Sequence, residues 1–241
     1  MEPTPVETFR ALHHGRAPDD PLVLPGPWDA ASARVFAAAG FPALATPSAG
    51  VAACLGYEDG ATPADEMFAA VARITRSVSV PVSADVEGGY RLAPGELVAR
   101  VLAAGAVGVN LEDSEDGALK DPSAHADWLA RVRAEAGDRL FVNARVDTFL
   151  HDGADPADAI VRGRLYRAAG ADCVYPIMAP PEHLPRLRAE IGAPLNAVAV
   201  PGGPAVAELG RLGATRVTFG PGLLRRALAA VRDIADEVRS G

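Results

Sequence analysis

Residues 81–105 read PVSADVEGGYRLAPGELVARVLAAG, one complete strand-loop-helix unit whose form recurs along the chain. The run 82–86 has the composition of a short strand, and Gly88-Gly89 breaks it. Pro94 then opens an amphipathic Ala/Val/Leu pattern, a position where its missing N–H costs nothing. Gly105 closes the pattern as a helix stop. Working outward from this unit, strands are expected at 22–24, 43–46, 82–86, 107–111, 140–144, 173–175, 195–197 and 216–219. Helices are expected at 30–39, 63–77, 94–104, 124–136, 156–169, 181–191, 204–212 and 221–239. Eight βα units of about 30 residues each describe an α/β fold of the (β/α)8 TIM-barrel type. An open doubly wound sheet would need a glycine-rich turn after its first strand, and LPGPWDAAS is not one. Without a linker or composition shift, residues 1–241 are expected to form a single barrel domain behind a short polar N-terminal leader.

Composition narrows the function classes. The chain has 241 residues, 49% of them hydrophobic but only 5% aromatic, so Ala, Val and Leu must fill the core. A net charge of -8 without a basic cluster argues against nucleic acid and anionic membrane partners. Cys54 and Cys173 are too few for a disulfide framework and read as core residues. The leader lacks the apolar segment of a secretory signal, and no run of about 18 apolar residues is present. A cytoplasmic protein is expected.

In such a barrel the C-terminal tips of the strands form the active site. Those tips carry Ser48, Asp85 with Glu87, Glu112 with Asp113, Arg145 with Asp147, and Asn196. Two like-charged acids on one strand face require water or a cation between them. Together with Asp59 in GYEDG they form an all-oxygen set that suits Mg²⁺, or Mn²⁺, rather than zinc. Solvated acids or helix caps are the structural alternative. The Arg145 fork matches a carboxylate, with a rim salt bridge as its alternative. Ser48, Ala49 and Gly50 precede a short apolar helix and offer backbone amides to an anion. Gly202-Gly203 and the Gly220-Pro221-Gly222 turn follow the last two strands, where many barrels hold phosphate, so a phosphosugar-handling barrel competes. The histidines, His13, His14 and His125 among them, show no ligand spacing and read as solvated or capping. Lys120 is the basic residue of the loop after the fourth strand.

The strings TPSAGVAACLGYEDG, ADVEGGY, NLED and NARVDTF, in that order, resemble the isocitrate lyase/phosphoenolpyruvate mutase superfamily from about Phe9 to Arg226. The resemblance implies Asp85 as direct Mg²⁺ ligand, with Asp59, Glu87 and Glu112 bonding its waters. It implies Ser48, Ala49 and Gly50 on the substrate carboxylate and 2-oxo group, Arg145 gripping substrate and Asn196 lining the pocket. Asp59, Asp85 and Arg145 would be the catalytic set. Lyases of that family carry a cysteine-bearing gating loop after the acidic strand; here the stretch is SEDGALKDPSAHADWL, shorter and without cysteine. An isocitrate-type lyase is therefore disfavoured. What the resemblance leaves is Mg²⁺-dependent cleavage of a C–C bond, or a C–P bond, in a small 2-oxo acid through a stabilised enolate. An oxaloacetate-like decarboxylase is the leading form; phosphonopyruvate hydrolase or mutase-like activity, and 2-oxo acid binding with little turnover, are alternatives. A homo-oligomer, dimer or tetramer, is implied, although the family's long C-terminal extension, often exchanged between subunits, is missing here.

Overall fold

Eight short strands pair in parallel, each beside its sequence neighbours, and the last returns to the first. The computed structural model describes residues 3–241. The strands are β1 (Leu22–Val23), β2 (Leu44–Ala45), β3 (Val82–Asp85), β4 (Gly108–Leu111), β7 (Phe141–Val146), β8 (Cys173–Pro176), β9 (Asn196–Val198) and β10 (Arg216–Thr218). A small antiparallel hairpin, β5 (Ser114–Glu115) and β6 (Ala118–Leu119), stands outside the ring. Strands β2-β3-β4-β7-β8 form one arc and β1-β10-β9 the other. A bridge between Val174 and Leu195 joins them on one side, and the Ala45 amide donating to Pro25 O at 3.2 Å joins them on the other. The ring is thus closed, and every interior strand is buried on both faces.

Helices cover the outside: α2 (Ala30–Ala38), α3 (Ser48–Leu55), α4 (Ala64–Thr75), α5 (Pro94–Ala103), α6 (Pro122–Ala136), α7 (Pro156–Ala168), α8 (Leu184–Ile191), α9 (Val206–Arg211) and α10 (Gly222–Ser240), with α1 (Pro5–Leu12) ahead of them. Their starts are chemically marked. Asp29, Asp121 and Asp155 accept first-turn amides, and Pro94, Pro122 and Pro156 occupy the first turns of α5, α6 and α7. On α4 the apolar residues Met67, Phe68, Val71 and Ile74 recur at helical spacing and are buried against the sheet. All eight expected strands and eight expected helices are present, with ends shifted by a few residues. Residues 181–183 form a 3-10 turn rather than the start of α8.

The segment expected to be a polar leader is instead a capped helix that plugs the barrel floor. Thr4 and Glu7 close a capping box at the start of α1. Phe9 and His13, one turn apart, enter the floor, where Phe9 stands edge-on to Phe141 and His13 stacks on Phe141 at 4.1 Å between ring centroids. Close approach depends on Gly108, since a Cβ there would lie 3.0 Å from the Phe9 ring and from Ser83 Oγ. Arg10 and Arg133 both pair with Asp172, tying α1 to the ring. The sequence pattern hid this role because a single aromatic per turn among polar residues reads as solvated. His13 and His125 are both buried, against the expectation of solvated histidines. Cys54, expected in the core, is exposed; Cys173 is buried.

Burial, followed by the Arg216 charge, depresses His13 to about 3. The unfolded chain therefore binds this proton at a higher pH than the fold does. The associated stability is complete above the ordinary histidine range and is lost as pH falls toward about 3. His13→Leu is expected to flatten the acid limb of a stability-versus-pH curve by up to about 1.4 kcal/mol per pH unit. Urea melts across that range check it, and an unchanged slope in the variant would refute the burial effect.

Candidate active site

Alternation along three adjacent strands brings the polar side chains to one end of the barrel. Asp85, Asn110 and Asn143 are register partners across β3, β4 and β7. Two residues further along each chain come Glu87, Glu112 and Arg145, on the same inward side. The Glu112 amide donates to Glu87 O at 3.0 Å, so the acidic tips of β3 and β4 are held together by backbone. Glu87 has φ 54, as has Tyr90, and Arg91 has φ 57; left-handed backbone at three non-glycine residues costs about 1–3 kcal/mol each. Such strain concentrated in VEGGYR marks a loop shaped for its site.

Arg145 organises the charges. Its Nε donates to Asp147 Oδ1 at 2.6 Å and its Nη2 to Asp147 Oδ2 at 3.0 Å, while Nη1 pairs with Glu112. Asp147 is wholly buried, accepts from Ser114 Oγ, and its amide donates to Asp113 Oδ1 at 2.8 Å. Asp113 in turn accepts from Tyr166 and Arg162. Burial opposes the Arg145 charge, but the Asp147 hydrogen bond and the neighbouring carboxylates outweigh it and keep the guanidinium protonated. Burial and mutual repulsion act the other way on the acids. Glu87 is raised to about 7, by burial and then by Asp85 and Asp59; Glu112 is raised to about 9, by burial against the opposing pull of Arg145. Asp85 is raised by burial, with Arg145 and the Glu87 amide partly offsetting.

The pocket lies between these tips and α3. It holds about 200 Å³ and is lined by Thr46, Ser48, Ala49, Asp59, Asp85, Asn110, Arg145, Leu150, Tyr175, Ile177 and Thr218, among others. Helix α3 begins at Ser48 after Pro47, with no side-chain cap of its own, and its first turn opens next to the pocket with the Ser48 amide turned to the Asp85 carboxylate. Ser48 Oγ donates to Asp85 Oδ2 at 3.2 Å. Asp59 is an exposed loop residue at the mouth. Glu87 and Glu112 face an adjoining open cleft of about 610 Å³, which Lys120 and Tyr90 share. Asn196 is placed elsewhere than expected: it is fully buried in the barrel, accepting from Thr218 Oγ1 at 3.4 Å, and does not line the pocket. Gly220 lines it, whereas Gly202 and Gly203 do not. His125 is packed between Trp128 and Tyr166 behind the site.

Sequence reasoning passed over Asn110, Tyr175 and Thr218. The signal for Asn110 was available, since the alternation that makes Glu112 inward-facing does the same for the residue two before it. Tyr175 and Thr218 reach the pocket only through barrel closure.

The donor set fits a hard cation. Glu87 Oε1 is buried without a hydrogen-bond partner, and three carboxylates crowd one rim, their pKa values raised by burial. Among the described residues no three acids, histidines or cysteines form a ready cage. An ion such as Mg²⁺ ordinarily takes one or two carboxylates and keeps several waters.

A closed parallel barrel with an arginine and clustered acids at the C-terminal rim has the architecture of a barrel enzyme. The family model described as phosphoenolpyruvate phosphomutase matches residues 9–239, and the chain belongs to that family. It is 36% identical to an uncharacterized protein of Mycobacterium tuberculosis over 236 residues, 97% of this chain and 90% of that one. A crystal structure of a candidate lyase/mutase from Burkholderia cenocepacia J2315 superposes with a TM-score of 0.90 at 36% identity, covering 97% of this chain and 88% of the other. A crystal structure of 2,3-dimethylmalate lyase gives a TM-score of 0.85 at 27% identity over 99% and 88%. The family comprises lyases and mutases of C–C and C–P bonds, and this chain is an enzyme of that kind.

A Mg²⁺ ion held by these acids would compete with protons for them. Mg²⁺ affinity is expected to rise as pH passes about 7 and again about 9, with net proton release. Calorimetry in buffers of differing ionisation enthalpy measures this, and a pH-independent affinity would refute the assignment of these acids to the metal.

Proposed function

We propose that the protein is a Mg²⁺-dependent enzyme that cleaves a C–C bond, or a C–P bond, of a small 2-oxo acid, with an oxaloacetate-like decarboxylation as the leading reaction. The observation that carries this is the convergence of Asp85, Arg145 and the uncapped start of α3 on one pocket of about 200 Å³. That volume lies below the about 300–1,000 Å³ of drug-sized sites and suits a small diacid. Asp85 would hold the Mg²⁺ ion directly, with Glu87, Glu112 and Asp59 toward its waters, and the ion would supply Lewis acidity at the 2-oxo oxygen.

The chain's own residues do the rest. Ser48, Ala49 and Gly50 present amides to the substrate carboxylate. Arg145 spends three of its five N–H groups on Asp147 and Glu112, and the remaining two are available to substrate oxygens. Asp147 holds the fork in place, so no orientation entropy is lost when substrate arrives. Leu150 and Ile177 give one wall an apolar face.

A homo-oligomer, dimer or tetramer, belongs to the same reading. Beyond Leu224, α10 runs with Leu228, Val231, Ile234 and Val238 exposed in a stripe at helical spacing. An uncovered stripe of this kind is characteristic of association. No described helix is long and apolar enough to cross a membrane, and the two free cysteines suit a reducing cytoplasm.

Oxaloacetate, phosphonopyruvate and branched 2-oxo or 2-hydroxy diacids, each with Mg²⁺ and corrected for metal-only decay, form the test. Turnover is expected with one of them, and Arg145→Ala should lower kcat/KM by about 100-fold or more. Turnover untouched by that change would sink the role given to Arg145. Oxalate with Mg²⁺ should raise the melting temperature of the wild type but not of Asp85→Ala. Gel filtration should show a dimer or tetramer, and Leu228→Glu with Val231→Glu should yield monomer.

A further inference from the structure

Asn110 lines the pocket beside Asp85, its register partner on β3, and its side-chain orientation is dictated by chemistry. Its Oδ1 accepts from Asn143 Nδ2 at 2.7 Å and faces Arg216 Nη2 at 3.4 Å. A guanidinium only donates, so the atom opposite it is the oxygen and the amide has one possible sense. Asn110 Nδ2 is consequently turned away from this pair. Among the described residues it makes no hydrogen bond, yet it is not among the sealed, unpartnered atoms that include Asn143 Oδ1 and Arg216 Nε and Nη1. Its open side is the pocket.

Arg216 makes the arrangement unusual. It is fully buried and, among the described residues, pairs with no carboxylate and finds no acceptor for its Nε and Nη1. The Phe9 ring stands 6.0 Å from the guanidinium carbon, but a buried charge without a carboxylate remains costly, and an aspartate at position 110 would relieve it. The chain carries the neutral isostere there instead. An aspartate would add a carboxylate next to Asp85, facing any anionic ligand. An amide whose oxygen is already taken can only donate.

We infer that Asn110 is a substrate-binding residue, donating a hydrogen bond from Nδ2 to an oxygen of the bound acid, with Arg216 and Asn143 as the positioning residues that hold the amide in that sense. Stability is given up at Arg216 so that this pocket wall remains a donor. The inference rests on the pocket being a 2-oxo acid site, and the experiment separates the two.

Oxalate is titrated calorimetrically in the presence of Mg²⁺, and melting temperatures are taken without ligand. Asn110→Asp should melt at or above the wild-type temperature, because Arg216 gains a partner, while oxalate binds about tenfold or more weaker. A structural role alone would move the two readouts together. Asn110→Ala should also weaken oxalate by about tenfold while Mg²⁺ binding stays as in the wild type. Arg216→Met should weaken oxalate, and Arg216→Lys should restore part of the loss. Wild-type oxalate affinity in Asn110→Asp or Asn110→Ala overturns the inference, and a lower melting temperature in Asn110→Asp overturns its charge argument. If the wild type itself binds no oxalate, the 2-oxo acid reading falls and takes this one with it.

Discussion

Arg145 stands among carboxylates that would otherwise repel one another, and the rim of the barrel depends on it. Glu112 and Asp147 grip it from two sides, and Asp147 is itself fixed by Ser114 and by the Asp113 network behind it. Buried charges of one sign are tolerated only when paired. With the guanidinium in place, three strands can end in acids at the same level. Without it, Asp85, Glu87 and Glu112 would be left with only protons to neutralise them. The same group that neutralises the rim keeps two N–H donors free of these carboxylates beside the pocket.

Below that rim the barrel interior is polar where most cores are apolar. Ser83, Asn110, Asn143, Asn196 and Arg216 are all buried on inward-facing strand positions, several with unpaired atoms. Local conflict with the rule that buried polar groups are satisfied is expected at functional sites. The floor beneath this layer is closed by Phe9 and His13 from α1, packed on Phe141. Ordered in this way, the interior runs from aromatic plug through polar layer to acidic rim.

The loop after β3 and the hairpin after β4 shape the second cleft. Strain at Glu87, Tyr90 and Arg91 bends the chain so that Arg91 pairs with Glu115 and Asp116 on the hairpin. Lys120 returns over Gly88, where a Cβ would lie 3.0 Å from its Nζ. These ion pairs are exposed and weak, so the hairpin is held chiefly by backbone and by the Lys120 amide on Asp113 O.

Periodicity alone determined the eight βα units, because a strand buried on both faces and an amphipathic helix with proline before it and glycine after it each leave a local signature. It also placed Asp85, Glu87, Glu112 and Arg145 at strand tips, since tip position follows from counting along one unit. What only the tertiary structure decided are relations between units. The floor helix was invisible because its meaning lies in the hole Phe9 fills, and that hole exists only after the ring closes. Asn196 was expected at the pocket and Asn110 was passed over, yet the closed ring seals Asn196 in the interior and turns Asn110 onto the pocket. The unpaired Arg216 reads in sequence as an ordinary charged strand residue. Its significance comes from burial among strands more than a hundred residues apart in sequence, as Arg216 and Asn110 are, and burial is a property of the closed barrel.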